Sequence, residues 1–203
     1  MSPLEVALGY EAPAGRNGPR VWIPLGGSHR AAGLSEPQRR ELVSTVLEVN
    51  AEPGARLVVL GVEVDGLRPA GRAALRDRIG FLPADGGLIS SLNAWENIVL
   101  PTGFHHHRRL RGIEATVNRL VGGLGADPHE LLSKLPERMT LYEKKLTGYV
   151  RIVLESPDLV LAEELLGGLG PEERTAAARF PAVYLESHPG GTFVQLEVAP
   201  AHE

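Results

Sequence analysis

The chain has 203 residues, a formal net charge of −4 and 43% hydrophobic residues. This balance excludes a strongly basic nucleic-acid-binding protein and a disordered chain, and the length is enough for one domain with a sizeable core. The absence of cysteine excludes disulfides, cysteine-ligated zinc and thiol catalysis.

The N-terminal sequence MSPLEVALGYE is acidic and lacks the basic segment and apolar core of a signal peptide. No apolar run in the chain approaches the roughly 20 residues needed to span a bilayer. We therefore expect a cytoplasmic protein that reaches the inner face of a membrane only through a partner, without inserting into it.

The first 25 residues predict a peripheral antiparallel hairpin. Residues 4–8 and 21–25 resemble strands, and residues 12–20 between them are rich in Gly, Pro and Arg, as turns are.

Strands and helices alternate over the rest of the chain. The predicted elements are a helix at 39–50, a strand at 57–64, a helix at 70–78, a strand at 79–83, a helix that begins at 94 and is broken by Pro101, helices at 113–124 and 141–154, a strand at 159–162, a helix at 171–179, and strands at 182–186 and 193–198. This order predicts an α/β fold with a mostly parallel central sheet flanked by helices.

The most informative strand is the apolar run from Leu159 to Ala162, which is followed by Glu163 and Glu164. Nucleotide-hydrolysing α/β proteins place a metal ligand and a water-orienting base at the carboxyl ends of such strands. The two carboxylates are therefore candidates for these roles.

Two segments resemble the ATP-binding subunit of an ABC transporter, with the greatest similarity to subunits of bacterial lipid and organic-solvent-tolerance transporters. Residues 78–98 read RIGFLPADGGLISSLNAWENI and resemble the Q-loop segment, and residues 154–164 read LESPDLVLAEE and resemble the end of the signature helix with the Walker B strand. The resemblance implies a P-loop NTPase-like fold of the ABC ATPase type, as a single domain over 1–203 with a helical subdomain at about 94–156.

The same resemblance implies site residues by position. Glu164 stands at the catalytic base, His188 at the switch histidine and Glu163 at the metal-binding aspartate, one methylene longer. Ala84 stands at the Q-loop glutamine. Thr140 falls in the signature, which reads MTLYE.

The implied phosphate loop, GxxxxGK[ST], falls on residues 33–40, which read GLSEPQRR. Gly33 keeps the first glycine, Arg39 replaces the lysine, and Arg40 replaces the hydroxyl that would bind Mg²⁺. Pro37 removes one backbone donor from the loop.

Ser35 and Gln38 also match a capping box, in which the two side chains satisfy the orphan amides at a helix start. We expect this helix start to be sealed by its own side chains; the alternative is an eroded, mobile loop.

Two further features each have a structural and a functional interpretation. His105, His106 and His107 could suggest a metal site, but consecutive residues cannot all face one ion, which favours a solvated loop. Tyr10 and Trp22 could stack on adenine, although hairpin or core packing is the simpler interpretation.

The sequence therefore predicts a pseudo-ATPase with no bound cofactor, acting as a regulatory or scaffolding partner of a membrane permease, of a competent ABC ATPase subunit, or of both, and not of nucleic acid. One alternative is an active or weakly active ATP-binding subunit that uses Mg-ATP. Another is a cytosolic protein that has inherited only the fold.

Overall fold

The computed structural model describes residues 3–105 and 112–198, and the chain forms two compact units. The first unit comprises Met1–Phe81, Pro157–Glu164 and Tyr184–Glu203. The second comprises Leu82–Ser156 and Leu165–Val183.

The described strands and α-helices follow one another in the predicted alternation. In chain order they are β1 (Val6–Glu11), β2 (Arg20–Pro24), β3 (Gly27–Leu34), α1 (Glu36–Glu48), β4 (Arg56–Val59), β5 (Val62–Glu63), α2 (Pro69–Arg76), β6 (Ile79–Leu82), α3 (Ala94–His105), α4 (Ile113–Gly123), α5 (Pro128–Leu131), α6 (Leu141–Glu155), β7 (Leu159–Glu163), α7 (Pro171–Ala177), α8 (Phe180–Ser187) and β8 (Thr192–Val198).

The first unit is built on two sheets. The antiparallel sheet has the order β2-β1-β4-β5, so the predicted N-terminal hairpin is confirmed but is extended by two more strands. The other sheet has the order β3-β8-β7-β6, and β8 runs parallel to both β3 and β7. This confirms the predicted parallel sheet.

Apolar side chains from both sheets and from α1 form one core in the first unit. Leu42 and Val46, four residues apart on α1, are fully buried with Leu8 of β1, Leu161 of β7 and Val194 of β8. Apolar residues four apart lie on the same face of a helix, and every second residue of a strand lies on the same face of a sheet. The buried residues therefore agree with the sequence pattern.

The register of the parallel strands brings three strand ends to one edge. Leu34 of β3 lies opposite Val198 of β8, and Glu163 of β7 lies opposite Leu196 of β8. The carboxyl ends of β3, β7 and β8 therefore meet where α1 begins.

The second unit is mostly helical around α6. Tyr149 of α6 stacks on Phe180, with ring centroids 4.2 Å apart, and its hydroxyl donates to the Phe180 carbonyl. Gly148 lies against the loop after β6, where a Cβ would overlap the Gly86 carbonyl oxygen. The missing side chain therefore allows the loop backbone to reach the helix.

The predicted single strand at 57–64 is wrong, because the chain reverses within it. Leu60 and Gly61 both have positive φ, 48° and 79°, which is the geometry of a tight hairpin turn between β4 and β5. The pair lacks the Asn-Gly or Asp-Gly sequence that usually marks such a turn.

The predicted strand at 182–186 is also wrong, since these residues belong to the helix α8. Strands β7 and β8 are parallel neighbours, and such strands need a crossover connection, which α7 and α8 supply.

The helix α3 continues to His105, through Pro101, rather than breaking there. A proline removes one hydrogen bond and costs about 3 kcal/mol in a helix interior. Burial of Ala94 and Ile98 on the same helix opposes that cost.

Candidate functional site

The segment 33–40 forms the end of a strand, one linking residue and the first turn of a helix. Strand β3 continues to Leu34 and α1 begins at Glu36, so Ser35 alone separates them. The residues that the resemblance assigns to a phosphate loop, with Gly33, Ser35, Arg39 and Arg40 among them, therefore have regular secondary structure on both sides of Ser35.

Ser35 and Gln38 form the predicted capping box, which is confirmed. The Ser35 N–H donates to Gln38 Oε1 at 2.9 Å, and the Gln38 N–H donates to Ser35 Oγ at 3.4 Å. The Arg39 N–H already bonds to the Ser35 carbonyl, and Pro37 has no N–H. The helix start thus uses its amides within the chain.

The guanidinium of Arg39 is held by two carboxylates. Its Nη2 lies 2.8 and 2.7 Å from the two Glu36 oxygens, and its Nη1 lies 2.8 Å from Glu163 Oε1. The side chains of Arg39 and Glu163 are only 10% and 14% exposed. Hydrogen bonds from Arg39 first, and then from Arg40, hold the pKa of Glu36 below its usual value.

Arg40, at the position implied for a magnesium-binding hydroxyl, is 74% exposed and pairs with Glu36 Oε1 at 2.8 Å. It offers a cation where that metal would need an oxygen ligand.

Glu164 turns back toward the end of β8. It has a left-handed φ of 43°, its N–H donates to the Leu196 carbonyl at 3.0 Å, and its Oε1 accepts the Val198 N–H at 2.7 Å. The two carboxylates at the end of β7 therefore diverge: Glu163 contacts α1, whereas Glu164 accepts a hydrogen bond from the end of β8.

His188 packs on an aromatic ring of α8. Its ring stacks on Tyr184 with centroids 5.3 Å apart and an interplanar angle of 6°, and its Nδ1 lies 3.3 Å from Ser187 Oγ. Burial raises the pKa of Tyr184, whose hydroxyl donates to the Pro157 carbonyl at 2.5 Å.

In the second unit, Ala84 lies in the loop after β6, as predicted. This loop is held by Asn97, which is buried, accepts the Ile89 N–H at 2.8 Å and donates to the carbonyls of Ile89 and Leu92. Ile89 is 46% exposed. No motif in the sequence predicts this role for Asn97.

Thr140 is the N-cap of α6 and forms a second capping box. Its N–H donates to Glu143 Oε2 at 2.9 Å, and the Glu143 N–H donates to Thr140 Oγ1 at 3.2 Å. Lys134 lies 2.7 Å from Glu130 Oε1 and 2.8 Å from Glu143 Oε1, and these hydrogen bonds raise the pKa of Lys134. The T-x-x-E pattern could have revealed this box from sequence.

Lys145 is a further polar residue that sequence reasoning missed. It is buried, and its Nζ donates to the carbonyls of Leu165 at 3.2 Å and Gly167 at 2.9 Å. No pattern around it distinguishes it from an exposed lysine of α6.

The aromatic candidates of the hairpin have local partners. Tyr10 is buried, as core packing requires, and its hydroxyl donates to Glu41 at 2.7 Å; burial, followed by this hydrogen bond, raises its pKa to about 12. Trp22 packs over Gly9, and the guanidinium carbon of Arg56 lies 5.2 Å from its ring centroid.

Across residues 3–105 and 112–198, no group of three or more His, Asp or Glu side chains could hold a metal ion. Within those same ranges, no helix combines the length and apolarity that a bilayer crossing requires. His106 and His107 of the predicted solvated loop lie outside the described residues, and so does the side chain of His105.

Comparison with known proteins gives a consistent set of relatives. The methionine import ATP-binding protein MetN of Bifidobacterium longum is 25% identical over 143 residues, covering 70% of this chain and 35% of MetN. The lipoprotein-releasing system ATP-binding protein LolD of Cereibacter sphaeroides is 32% identical over 117 residues, covering 57% of this chain and 51% of LolD. The chain thus spans about a third to a half of the length of these curated relatives. No family model matches it.

Among solved structures, cbiO1 of Clostridium perfringens, described as part of the ABC transporter complex cbiONQ, matches with a TM-score of 0.74 and 14% identity. The match covers 97% of this chain and 79% of cbiO1. The predicted fold class and the predicted resemblance are both confirmed by these similarities.

Proposed function

We propose that this relative of the ATP-binding subunits of ABC transporters, which has the ABC ATPase fold, works without nucleotide as a regulatory or scaffolding partner of a transporter. A single observation carries the proposal. Around α1, the amides of Ser35, Gln38 and Arg39, the guanidinium of Arg39 and the carboxylate of Glu163 have partners within the chain.

Phosphate binding at a helix start requires amides that point at the ligand. Here the Gln38 amide bonds to Ser35, and Glu36 places a carboxylate in the first helical turn. A triphosphate would have to displace that cap and lie beside a like charge. Mg-ATP therefore does not fit the residues present.

The two positions that the resemblance assigns to metal binding, Arg40 and Glu163, support the same proposal. Arg40 supplies no oxygen ligand, and Glu163 is 2.8 Å from Arg39. Each lost phosphate or metal contact costs on the order of a few kcal/mol of ligand or transition-state stabilisation. Several losses together would lift the dissociation constant beyond cellular nucleotide concentrations.

A second candidate is an active or weakly active ATP-binding subunit, which the names of the curated relatives favour. In this case Arg39 would bind phosphate, Glu163 would bind the metal, and Glu164 and His188 would act in hydrolysis. Phosphate release measured with Mg-ATP separates the two candidates. The first predicts no turnover above buffer, whereas the second predicts turnover that Glu164→Gln abolishes.

The proposed partner is a membrane permease or a competent ABC ATPase subunit, so the protein would be cytoplasmic and peripheral to the membrane. The loop between β6 and α3 supports this. Asn97 fixes its backbone at Ile89, and Ile89 is 46% exposed with Leu88 and Leu92 half-buried beside it. A rigid loop with apolar side chains at the surface suits docking.

Affinity purification from the membranes of the organism that encodes the chain tests the partner. We expect an ABC permease or ATPase subunit to co-purify, and Leu88→Asp with Leu92→Asp to abolish this. Leu4→Asp is the matched control, since Leu4 is 77% exposed and lies in the first unit. Retention of the partner by the double variant would show that docking does not use this loop. Absence of such a partner from the wild type would favour a protein that has inherited only the fold.

A further inference from the structure

Arg39 is a buried cation whose three guanidinium nitrogens all lie against carboxylates. Nε and Nη2 donate to Glu36, at 3.1 Å and at 2.7 to 2.8 Å respectively. Nη1 lies 2.8 Å from Glu163 without the alignment of a hydrogen bond, so this contact is chiefly Coulombic. A planar guanidinium can donate two nitrogens to one carboxylate while its third nitrogen faces another, a fork geometry that an ammonium lacks.

The two carboxylates belong to different elements. Glu36 is the first residue of α1, whereas Glu163 is the last residue of β7. Arg39 therefore connects the first turn of α1 to the carboxyl end of β7, an interior strand of the parallel sheet. This is where a bound ligand would otherwise bring the helix and the strand together.

We infer that the Arg39–Glu163 ion pair is an internal substitute for a ligand: it fixes α1 to the end of β7 and holds this edge of the sheet closed. This role rests on the proposed function, because the ion pair can replace a ligand only if no nucleotide occupies the site.

The energetic consequence follows from burial. A solvent-exposed ion pair contributes little, but removing one partner of a buried pair leaves the other charge uncompensated. Arg40 provides the comparison within the same helix turn, because it pairs with the same Glu36 while its side chain is 74% exposed.

The test is a double-mutant cycle on the unfolding equilibrium in denaturant, without nucleotide. We expect Arg39→Met to raise the unfolding equilibrium constant on the order of a hundredfold, and Arg40→Met to change it less than about threefold. Glu163→Leu alone completes the cycle, and the double variant Arg39→Met with Glu163→Leu should recover at least about tenfold relative to Arg39→Met, because it removes both charges of the pair. Arg39→Lys should raise the constant by about tenfold, since lysine keeps the charge but loses the forked contact of Nε and Nη2 with Glu36.

Amide hydrogen exchange locates the effect. Arg39→Met should accelerate exchange in the first turn of α1 and at the end of β7, and Arg40→Met should accelerate neither. The inference is overturned if Arg39→Met and Arg40→Met have equal effects, or if the cycle shows no coupling. If Arg39→Met does not fold, Arg39→Lys and Glu163→Gln give the same comparison. Mg-ATP added to the wild type is a separate arm: stabilisation there would refute the proposed function, whereas the coupling alone decides the inference.

Discussion

Thr140 and Glu143 bond each other's backbone amides at the start of α6, as Ser35 and Gln38 do at the start of α1. The resemblance assigns the α1 start to nucleotide phosphate and the α6 start to the signature sequence. Each of them is closed by a reciprocal box of its own side chains. Self-capping is therefore found at both helix starts, one in each unit.

The α6 box predicts a stability effect. Thr140→Ala should lower the free energy of unfolding by about 1 kcal/mol, because the Glu143 amide loses its acceptor. Thr140→Ser should be close to the wild type, since serine also caps. Urea unfolding measures both variants; an alanine variant as stable as the serine variant would show that the box contributes nothing.

We expect Glu164 to stabilise the fold through its hydrogen bond to Val198 rather than through its charge. Its Oε1 accepts the Val198 N–H, and the neutral amide oxygen of a glutamine can accept the same hydrogen bond, without the contribution of the charge. We expect Glu164→Gln to unfold with a free energy close to the wild type, and Glu164→Ala to lose about 1 to 3 kcal/mol by leaving that amide without its acceptor. Denaturant unfolding of the pair checks this. Equal losses for both variants would indicate that the charge, not the hydrogen bond, matters.

Two helical glycines predict opposite effects of alanine. A Cβ on Gly148 would overlap the Gly86 carbonyl and approach Leu82 Cδ1 to 2.9 Å, whereas a Cβ on Gly123 meets nothing within 4 Å. Gly148→Ala should cost about 1 to 3 kcal/mol of overpacking. Gly123→Ala should gain about 0.5 to 1 kcal/mol from helix propensity. Thermal unfolding of both variants checks the prediction, and a neutral Gly148→Ala would contradict the close approach.

Tyr10 predicts a loss of stability in alkali. Its pKa is raised from 10.0 to about 12, chiefly by burial and then by the hydrogen bond to Glu41. A folded-state pKa above the unfolded one means that its contribution is complete below pH 10 and is lost as pH rises through about 12. Tyr10→Phe should therefore lose less stability than the wild type between pH 9.5 and pH 11.5, measured by urea unfolding. Parallel losses in the two proteins would contradict the raised pKa.

Local patterns in the sequence predicted the fold where an apolar run or a helical repeat is clear and where the capping residues are present in the sequence. The Ser35–Gln38 box, the buried α6 and the apolar β7 with its two acids are cases of this kind. The turn at Leu60 and Gly61 was not predicted, because leucine, unlike Asn or Asp, is rarely found with a left-handed backbone. Helix α8 was mistaken for a strand because eight apolar-rich residues show no decisive period, and only the parallel pairing of β7 with β8 requires a crossover there.

The contacts at the site were harder to predict than its positions. Family resemblance assigned Arg39 and Glu163 separately, as a phosphate-binding and a metal-binding position. Their mutual contact depends on the register of β7 and on the angle of α1, which no local pattern encodes. The same holds for Glu164, whose partner Val198 lies 34 residues further along the chain.

Calorimetric titration of the intact wild-type protein with Mg-ATP, alongside a competent ABC ATP-binding subunit, tests the central claim most directly. We predict no saturable heat at millimolar nucleotide and no rise in melting temperature. A ligand present at 100 times its dissociation constant would stabilise the folded protein by about 2.7 kcal/mol, so binding would raise the melting temperature measurably. A saturable isotherm with micromolar affinity, lost in Arg39→Met, would contradict the claim.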